Sequence, residues 1–223
     1  MHIPDGLMAP MIVVLGWIIS IPILYLVNWR IKGQMDEKNL PLMAVLAAGI
    51  FVAQMLNFPI GAGTTGHLVG AALAAILVGP LAGIVIITTI LIIQCLLFGD
   101  GGIVALGLNI LNMAIIGVLV GWFVYVRFPV KEERIRIFAA SWASVFLGSL
   151  ACASQLALSH GISGGEFGVD ASIAFPFMIG YHTLIGIGEG VITTGIVAYL
   201  AAVSPDMLKL PKLGLLTVPE AAQ

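Results

Sequence analysis

The sequence predicts an all-α integral membrane protein: a bundle of about seven transmembrane helices forming a single domain over residues 1–223. Three observations predict this fold class. Hydrophobic residues make up 60% of the chain. Charged residues make up only 9%, whereas soluble domains carry roughly 25%. The apolar residues also fall in runs long enough to cross a bilayer, which takes about 20 residues of helix.

The individual spans follow from the breaks between apolar runs. The stretch His67–Phe98 has no charged break, yet a single helix of that length would measure roughly 48 Å, more than the hydrocarbon thickness. Gly79–Pro80 provides a turn near its middle. The spans are therefore predicted near residues 8–29, 41–58, 66–79, 80–98, 103–126, 137–159 and 173–203.

The basic residues support this division and give it a direction. With the N-terminus outside, residues 30–40, the 79–80 turn, residues 127–136 and the C-terminal tail lie on the cytoplasmic side. All nine basic residues then lie inside, as the positive-inside rule requires: Arg30, Lys32, Lys38, Arg127, Lys131, Arg134, Arg136, Lys209 and Lys212. A single helix over 67–98 would move the 127–136 cluster outside. The sequence thus predicts an outer N-terminus and a cytoplasmic C-terminus, in the inner membrane of a bacterium or archaeon.

Composition and motifs exclude several functions. The net charge of −2 offers no basic surface for nucleic acid. No Gly-x-x-x-x-Gly-Lys-Ser/Thr motif is present, so ATP for active transport would have to be hydrolysed by another chain. Residues 1–10 contain no Lys or Arg, unlike a cleavable signal peptide, so we expect an uncleaved first helix. The bulk of His2 disfavours removal of Met1, which is expected to keep a free amine.

The first two residues form a potential metal chelate. A free Met1 amine, the deprotonated His2 amide and the His2 imidazole can bind one metal ion in a plane, with one in-plane position open. A planar set of four nitrogens suits Ni(II) or Cu(II), whereas Co(II) is less committed to that geometry. His67 follows a Gly-rich outer loop on the predicted side of His2 and could supply the fourth nitrogen. The alternative is a disordered terminal His2 and a His67 that merely begins a helix.

Further polar side chains occur at membrane depth. His182 and Glu189 lie seven residues apart on one face of the last span, where ionisable groups often have a functional role. They could equally form a structural hydrogen-bonded pair. Five uncharged polar side chains could orient the ligating imidazoles or could bridge helices: Gln54, Asn57, Gln94, Asn109 and Asn112. Bridging is favoured for Gln94.

Several segments of the chain are recognisable as family motifs. They are MHIPDG at residues 1–6; NFPI at 57–60, GTTGHL at 63–68 and GP at 79–80; LGLNILNM at 106–113; and His182 with Ile185, Gly186, Glu189 and Gly190 in the last helix. Together they resemble the CbiM/NikM family, the metal-binding substrate components of energy-coupling factor (ECF) transporters. The resemblance covers nearly the whole chain, and Thr65 stands where many relatives carry Ser.

The resemblance implies a seven-helix subunit that binds a metal through the Met1 amine, the His2 amide and imidazole, and His67. It also implies partners: an ECF transmembrane coupling subunit, cytoplasmic ATPase subunits and often a small accessory membrane subunit. The residues expected to support the ligands or to line the metal pathway are Asn57, Thr64, Thr65, Asn109, Asn112, His182 and Glu189.

The leading hypothesis is therefore capture of Ni(II) from outside for ATP-driven import, with Co(II) as the alternative substrate. A second hypothesis is a self-sufficient, proton-coupled secondary transporter with His182 and Glu189 as a relay, although no inverted repeat is apparent. A membrane enzyme ranks last, because no His-Glu-x-x-His or similar spacing occurs.

Overall fold

The computed structural model describes residues 1–34, 39–60, 64–208 and 213. Lys38, Lys209, Lys212 and residues 61–63 of the Gly-rich loop lie outside the described residues. The elements are α1 (Pro10–Lys32), α2 (Asn39–Gln54), β1 (Phe58–Ile60), β2 (Thr64–Gly66), α3 (Ala71–Val78), α4 (Pro80–Ile93), α5 (Leu106–Asn109), α6 (Val118–Arg127), α7 (Glu133–Ile162), α8 (Ala171–Val203) and α9 (Pro205–Leu208). A π-helical turn, Gln94–Phe98, extends α4, and another, Ile110–Gly117, joins α5 to α6.

Local chemistry explains where several helices begin. Pro10 and Pro80 occupy the first turns of α1 and α4, where a missing backbone N–H costs nothing. The Asp170 carboxylate accepts a hydrogen bond from the Ser172 N–H at the start of α8. The division predicted at Gly79–Pro80 is present, since Gly79 adopts a φ of 89° between α3 and α4.

The third predicted span, 66–79, contains a helix that is shorter than the predicted bounds. Only Ala71–Val78 is helical there, and eight residues of helix measure about 12 Å, too short to cross a bilayer. The second span likewise ends at Gln54, before the strand β1. Within the described residues, five helical segments are long and apolar enough to cross a membrane: Pro10–Lys32, Pro80–Phe98, Leu106–Arg127, Glu133–Ile162 and Ala171–Val203.

The helices are arranged around a central pair, α3 and α4. Every residue of α3 is buried, as expected for a helix that is apolar on all sides. By contrast, α1 and α8 leave large apolar side chains exposed, among them Ile18, Tyr25, Leu184 and Tyr199. An exposed apolar belt of this kind suits lipid and not water. The chain is therefore a multi-pass helical membrane protein.

Leu213 contacts the turn between α3 and α4. Leu213 is buried, donates its N–H to the Val78 carbonyl at 3.0 Å and accepts from the Leu81 N–H at 2.9 Å. Leu213 and the 79–80 turn therefore lie at the same end of the bundle. Which end faces the cytoplasm stays a prediction.

Candidate metal centre

The N-terminal segment lies inside the protein, where Met1, His2 and Ile3 are buried. Asn109, on α5, contacts both polar groups of the Ile3 backbone. Its Oδ1 accepts the Ile3 N–H at 2.8 Å, and its Nδ2 donates to the Ile3 carbonyl at 3.1 Å. That carbonyl also accepts the Gly102 N–H at 2.9 Å. These bonds satisfy a buried main chain that belongs to no helix or sheet.

Asp5 fixes the same segment to the loop that precedes α5. Its carboxylate accepts the backbone N–H groups of Ile103, Val104 and Ala105 at 2.8–3.0 Å. Gly102 is required beside it, since a Cβ there would lie 2.1 Å from Asp5 Oδ1. Asp5 therefore sets the position of the loop against residues 1–6.

The hairpin β1–β2 delivers His67 to this terminus. Its strands are antiparallel, with Pro59 opposite Thr65. The Met1 amine donates a hydrogen bond to the Thr65 carbonyl. His67 lies just after β2, and its Nδ1–H donates to the Leu68 carbonyl at 2.7 Å. In the neutral ring this leaves the lone pair on Nε2, which lies 3.5 Å from the Met1 nitrogen.

The distances suit a compact nitrogen site. The His2 and His67 ring centroids are 4.6 Å apart, and their planes are inclined by 38°. Neighbouring donors on a square plane, each about 2.0 Å from the metal, lie about 2.8 Å apart. The 3.5 Å between Met1 and His67 therefore has to shorten by about 0.7 Å to bind one ion. A small shift of the Met1 amine or of the His67 ring would be needed to cover that difference.

Burial keeps these donors uncharged. Loss of hydration lowers the pKa of the Met1 amine to about 5. Loss of hydration, with the nearby amine, lowers the pKa of His2 to about 3. Both groups are neutral at pH 7 and present lone pairs instead of protons. A neutral amine keeps two hydrogens, so it can bind a metal and still donate to Thr65.

Asp100 faces His2, and reasoning from the sequence did not identify it as part of the site. Its Oδ2 lies 3.8 Å from His2 Nε2, and Asn57 donates to the same oxygen at 2.7 Å. Burial raises the Asp100 pKa, while the Asn57 hydrogen bond opposes that shift. A carboxylate behind a histidine orients the ring and makes it a better metal ligand. The sequence feature that could have identified Asp100 is an acidic residue among glycines between two apolar runs, Gly99-Asp100-Gly101-Gly102.

The other predicted residues lie around the site in different roles. Thr64 donates its hydroxyl to Met178 Sδ at 3.0 Å, and Thr65 contributes its carbonyl and not its hydroxyl. Asn112 forms a reciprocal pair with Gln155 at 2.7–2.8 Å, so it bridges helices.

His182 and Glu189 are both buried, but they do not bond to each other. His182 Nδ1 donates to the Met178 carbonyl at 2.7 Å, and Glu189 accepts the N–H groups of Val69 and Gly70. The two side chains therefore each bind to a different segment of the main chain.

Side chains alone do not make a metal site in this part of the molecule. Among the described residues, no group of three or more His, Cys, Asp and Glu side chains is placed to hold an ion. The juxtaposed donors are instead the Met1 amine, the His2 main-chain nitrogen and two imidazoles. Nitrogen donors of this kind, arranged in a plane, suit divalent transition-metal ions such as Ni(II) and Cu(II).

This chain is similar to proteins that are named for nickel or cobalt transport. A model of the family described as the cobalt uptake substrate-specific transmembrane region, CbiM, matches residues 2–207. A protein of Archaeoglobus fulgidus named as a fused nickel transport protein, NikMN, is 42% identical over 94% of this chain and 68% of its own length. The fused nickel transport protein NikMN of Rhodobacter capsulatus is 36% identical over 93% of this chain and 64% of its own length.

A solved structure shares the fold. The crystal structure of a truncated transition metal transporter superposes with a TM-score of 0.86 at 34% identity, covering 91% of this chain and 99% of that one. The chain spans about two thirds of the length of both fused relatives.

Proposed function

This chain belongs to the CbiM family, whose members include nickel and cobalt transport proteins, and from that premise we propose that it captures Ni(II) from outside the cell for import. The predicted membership of the CbiM/NikM family is confirmed. The family consists of metal transport proteins and not of enzymes. The single observation that carries the nickel proposal is the approach of three buried groups: the Met1 amine, His2 and His67.

The proposed ligands are the Met1 amine, the His2 amide nitrogen after loss of its proton, a His2 imidazole nitrogen and His67 Nε2. The two main-chain donors and the His2 ring form fused chelate rings that keep three nitrogens in one plane. His67 then occupies the fourth corner beside the amine. A planar four-nitrogen field favours the d8 ion Ni(II), and Co(II) is the alternative substrate.

Import requires energy that this chain has no motif to supply. We propose that it is the substrate component of an ECF transporter. Its partners would be a transmembrane coupling subunit, cytoplasmic ATPase subunits and, in some assemblies, a small accessory membrane subunit. The proposal expects no uptake into liposomes that contain this chain alone. Ion-driven uptake by the chain alone would instead support the secondary-transporter hypothesis.

Titration of the purified full chain with Ni(II) tests the binding site. We expect one diamagnetic nickel ion per chain with the absorption of a square-planar complex. His67→Gln and His2→Ala should each abolish that spectrum. His160→Gln is the matched control, because His160 is partly exposed and pairs with Asp170 at 3.8 Å instead of facing the N-terminus. Nickel binding that survives loss of His2 or His67 would refute the proposed ligand set.

The same preparation tests the choice of metal. Competition between Ni(II) and Co(II) should favour Ni(II), since only nickel gains from the planar field. Equal or tighter binding of Co(II) would make cobalt the substrate, without altering the expected ligands.

A further inference from the structure

The segment between His67 and α3 is bound from two sides by buried polar side chains. From α8, Glu189 Oε2 accepts the Val69 N–H at 2.6 Å and Oε1 accepts the Gly70 N–H at 2.8 Å. From α2, Gln54 Nε2 donates to the Val69 carbonyl at 2.6 Å. Both polar groups of the Val69 backbone are therefore satisfied by side chains. We call Glu189, Gln54 and Val69 the Val69 clamp.

All three members of the clamp are inaccessible to solvent, with exposed fractions of 1% for Glu189, 0% for Gln54 and 1% for Val69. A carboxylate buried to this extent is costly unless its charge is compensated. Here the compensation comes from two N–H groups at the start of α3, where the helix dipole also favours negative charge. No basic side chain is needed, because the main chain of the His67 segment supplies the partners.

Because Val69 follows His67 by only two residues, the clamp limits where the His67 ring can stand. His67 Nδ1 is itself bound to the Leu68 carbonyl, so the ring is oriented by the same short segment. Resting on the nickel site proposed above, we infer that Glu189 and Gln54 are positioning residues. They hold His67 Nε2 at the fourth corner of the metal plane, and they set how slowly the ion leaves.

Helix α8 would thus support the metal site through Glu189, although none of the proposed ligands lies on this helix. Glu189 also borders an apolar cavity of about 290 Å³ between α2, α3 and α8. A truncation to alanine would enlarge that cavity, so the better substitution is Glu189→Gln. The amide keeps the volume but presents one acceptor oxygen and an NH₂ group, which cannot accept the second N–H. Gln54→Leu removes the bond to the Val69 carbonyl at similar volume.

The release of Ni(II) from the purified full chain to an excess of chelator is the decisive measurement. Substitution of a residue that supports a metal ligand typically lowers metal affinity by about 10- to 100-fold. We expect Glu189→Gln and Gln54→Leu to release nickel at least about tenfold faster, with a broadened square-planar absorption band. Thr193→Val is the matched control, since Thr193 is buried one turn along α8 and borders the same cavity. Its release rate should stay within about twofold of the unmodified chain.

Hydrogen exchange separates this inference from the proposed function. Without metal, the Val69 and Gly70 amides should be protected in the unmodified chain and exchange faster in Glu189→Gln. An unmodified chain that binds no nickel would overturn the proposed function, and the exchange rates would still decide whether Glu189 fixes the segment. Folded Glu189→Gln and Gln54→Leu variants with unchanged nickel release would overturn the inference. So would a loss of thermal stability with no change in the spectrum or the exchange.

Discussion

Replacing Asp100 by Asn tests whether the charge behind His2 contributes to metal binding. The substitution keeps the shape of the side chain and its contact with Asn57, and it removes the negative charge. In the unmodified chain the carboxylate lies 3.8 Å from His2 Nε2 and is 12% exposed. We expect the variant to bind nickel more weakly, because binding adds positive charge to a site that this carboxylate faces.

The magnitude follows from the geometry. A divalent ion that displaces one amide proton adds a net single positive charge. Adding the width of an imidazole ring and a metal–nitrogen bond to the 3.8 Å separation places that charge roughly 8 Å from Asp100. At an effective dielectric constant of about 20, the attraction is about 2 kcal/mol. Its loss corresponds to a dissociation constant about 30-fold higher.

Competition titration against a nickel chelator at pH 7.5 measures this difference. Asp170→Asn is the control, since Asp170 faces His160 at the same 3.8 Å but is 52% exposed. That variant should bind nickel like the unmodified chain. A change of less than twofold in Asp100→Asn, or an equal loss in Asp170→Asn, would refute the electrostatic role assigned to Asp100.

Three further outcomes follow from the same contacts. Gly101→Ala should lower nickel affinity at least about tenfold by titration, because Gly101 has a φ of 86° and a Cβ would lie 3.1 Å from His2 Nδ1. Asn109→Ala leaves the buried Ile3 N–H unpaired, so thermal unfolding should show a loss of about 1–3 kcal/mol. Because burial lowers the pKa of the Met1 amine to about 5 and that of His2 to about 3, both are already deprotonated between pH 6 and 8. Calorimetry in buffers of different ionisation enthalpy should therefore find that each bound nickel ion releases one proton, from the His2 amide. The nickel affinity should fall about tenfold for each pH unit of acidification, and more steeply below pH 5, where the Met1 amine also becomes protonated.

The sequence predicted the long helices well and the middle of the fold less well. Apolar runs and proline breaks placed α1, α4, α7 and α8 to within a few residues. Hydropathy failed over residues 55–70, since an apolar average does not distinguish a helix from two short strands followed by an irregular segment. The positive φ of Gly70, 71°, ends that irregular segment before α3 and was not inferable from hydropathy.

The sequence also singled out the residues that meet at the candidate site, because the Met1–His2 pair has a definite chelating chemistry and His67 follows a Gly-rich loop. It named Asn57, Asn109 and Gln54 as polar groups that could orient the imidazoles, but it did not identify Asp5 or Asp100 as supports. Asp5 and Asp100 contact partners about 100 residues away along the chain, and Gln54 contacts a main-chain carbonyl 15 residues away. Such pairings depend on how the helices pack, which spacing along the chain does not reveal. Glu189 was noticed as an ionisable group in a span, but its partners are main-chain N–H groups, which no side-chain pattern can show.

The proposed donor set itself explains why such a site could discriminate among metals. Mg²⁺ and Ca²⁺ require oxygen ligands, whereas the four proposed ligands are all nitrogens. Zn²⁺ prefers a tetrahedron, which a Met1–His2 chelate cannot form with three nitrogens in one plane. Asn109 and Asp5 hold the N-terminal segment in place by hydrogen bonds. Under the proposed ligand set, a site built on main-chain nitrogen would select its ion by geometry, because a planar set of nitrogens suits Ni(II) better than Co(II).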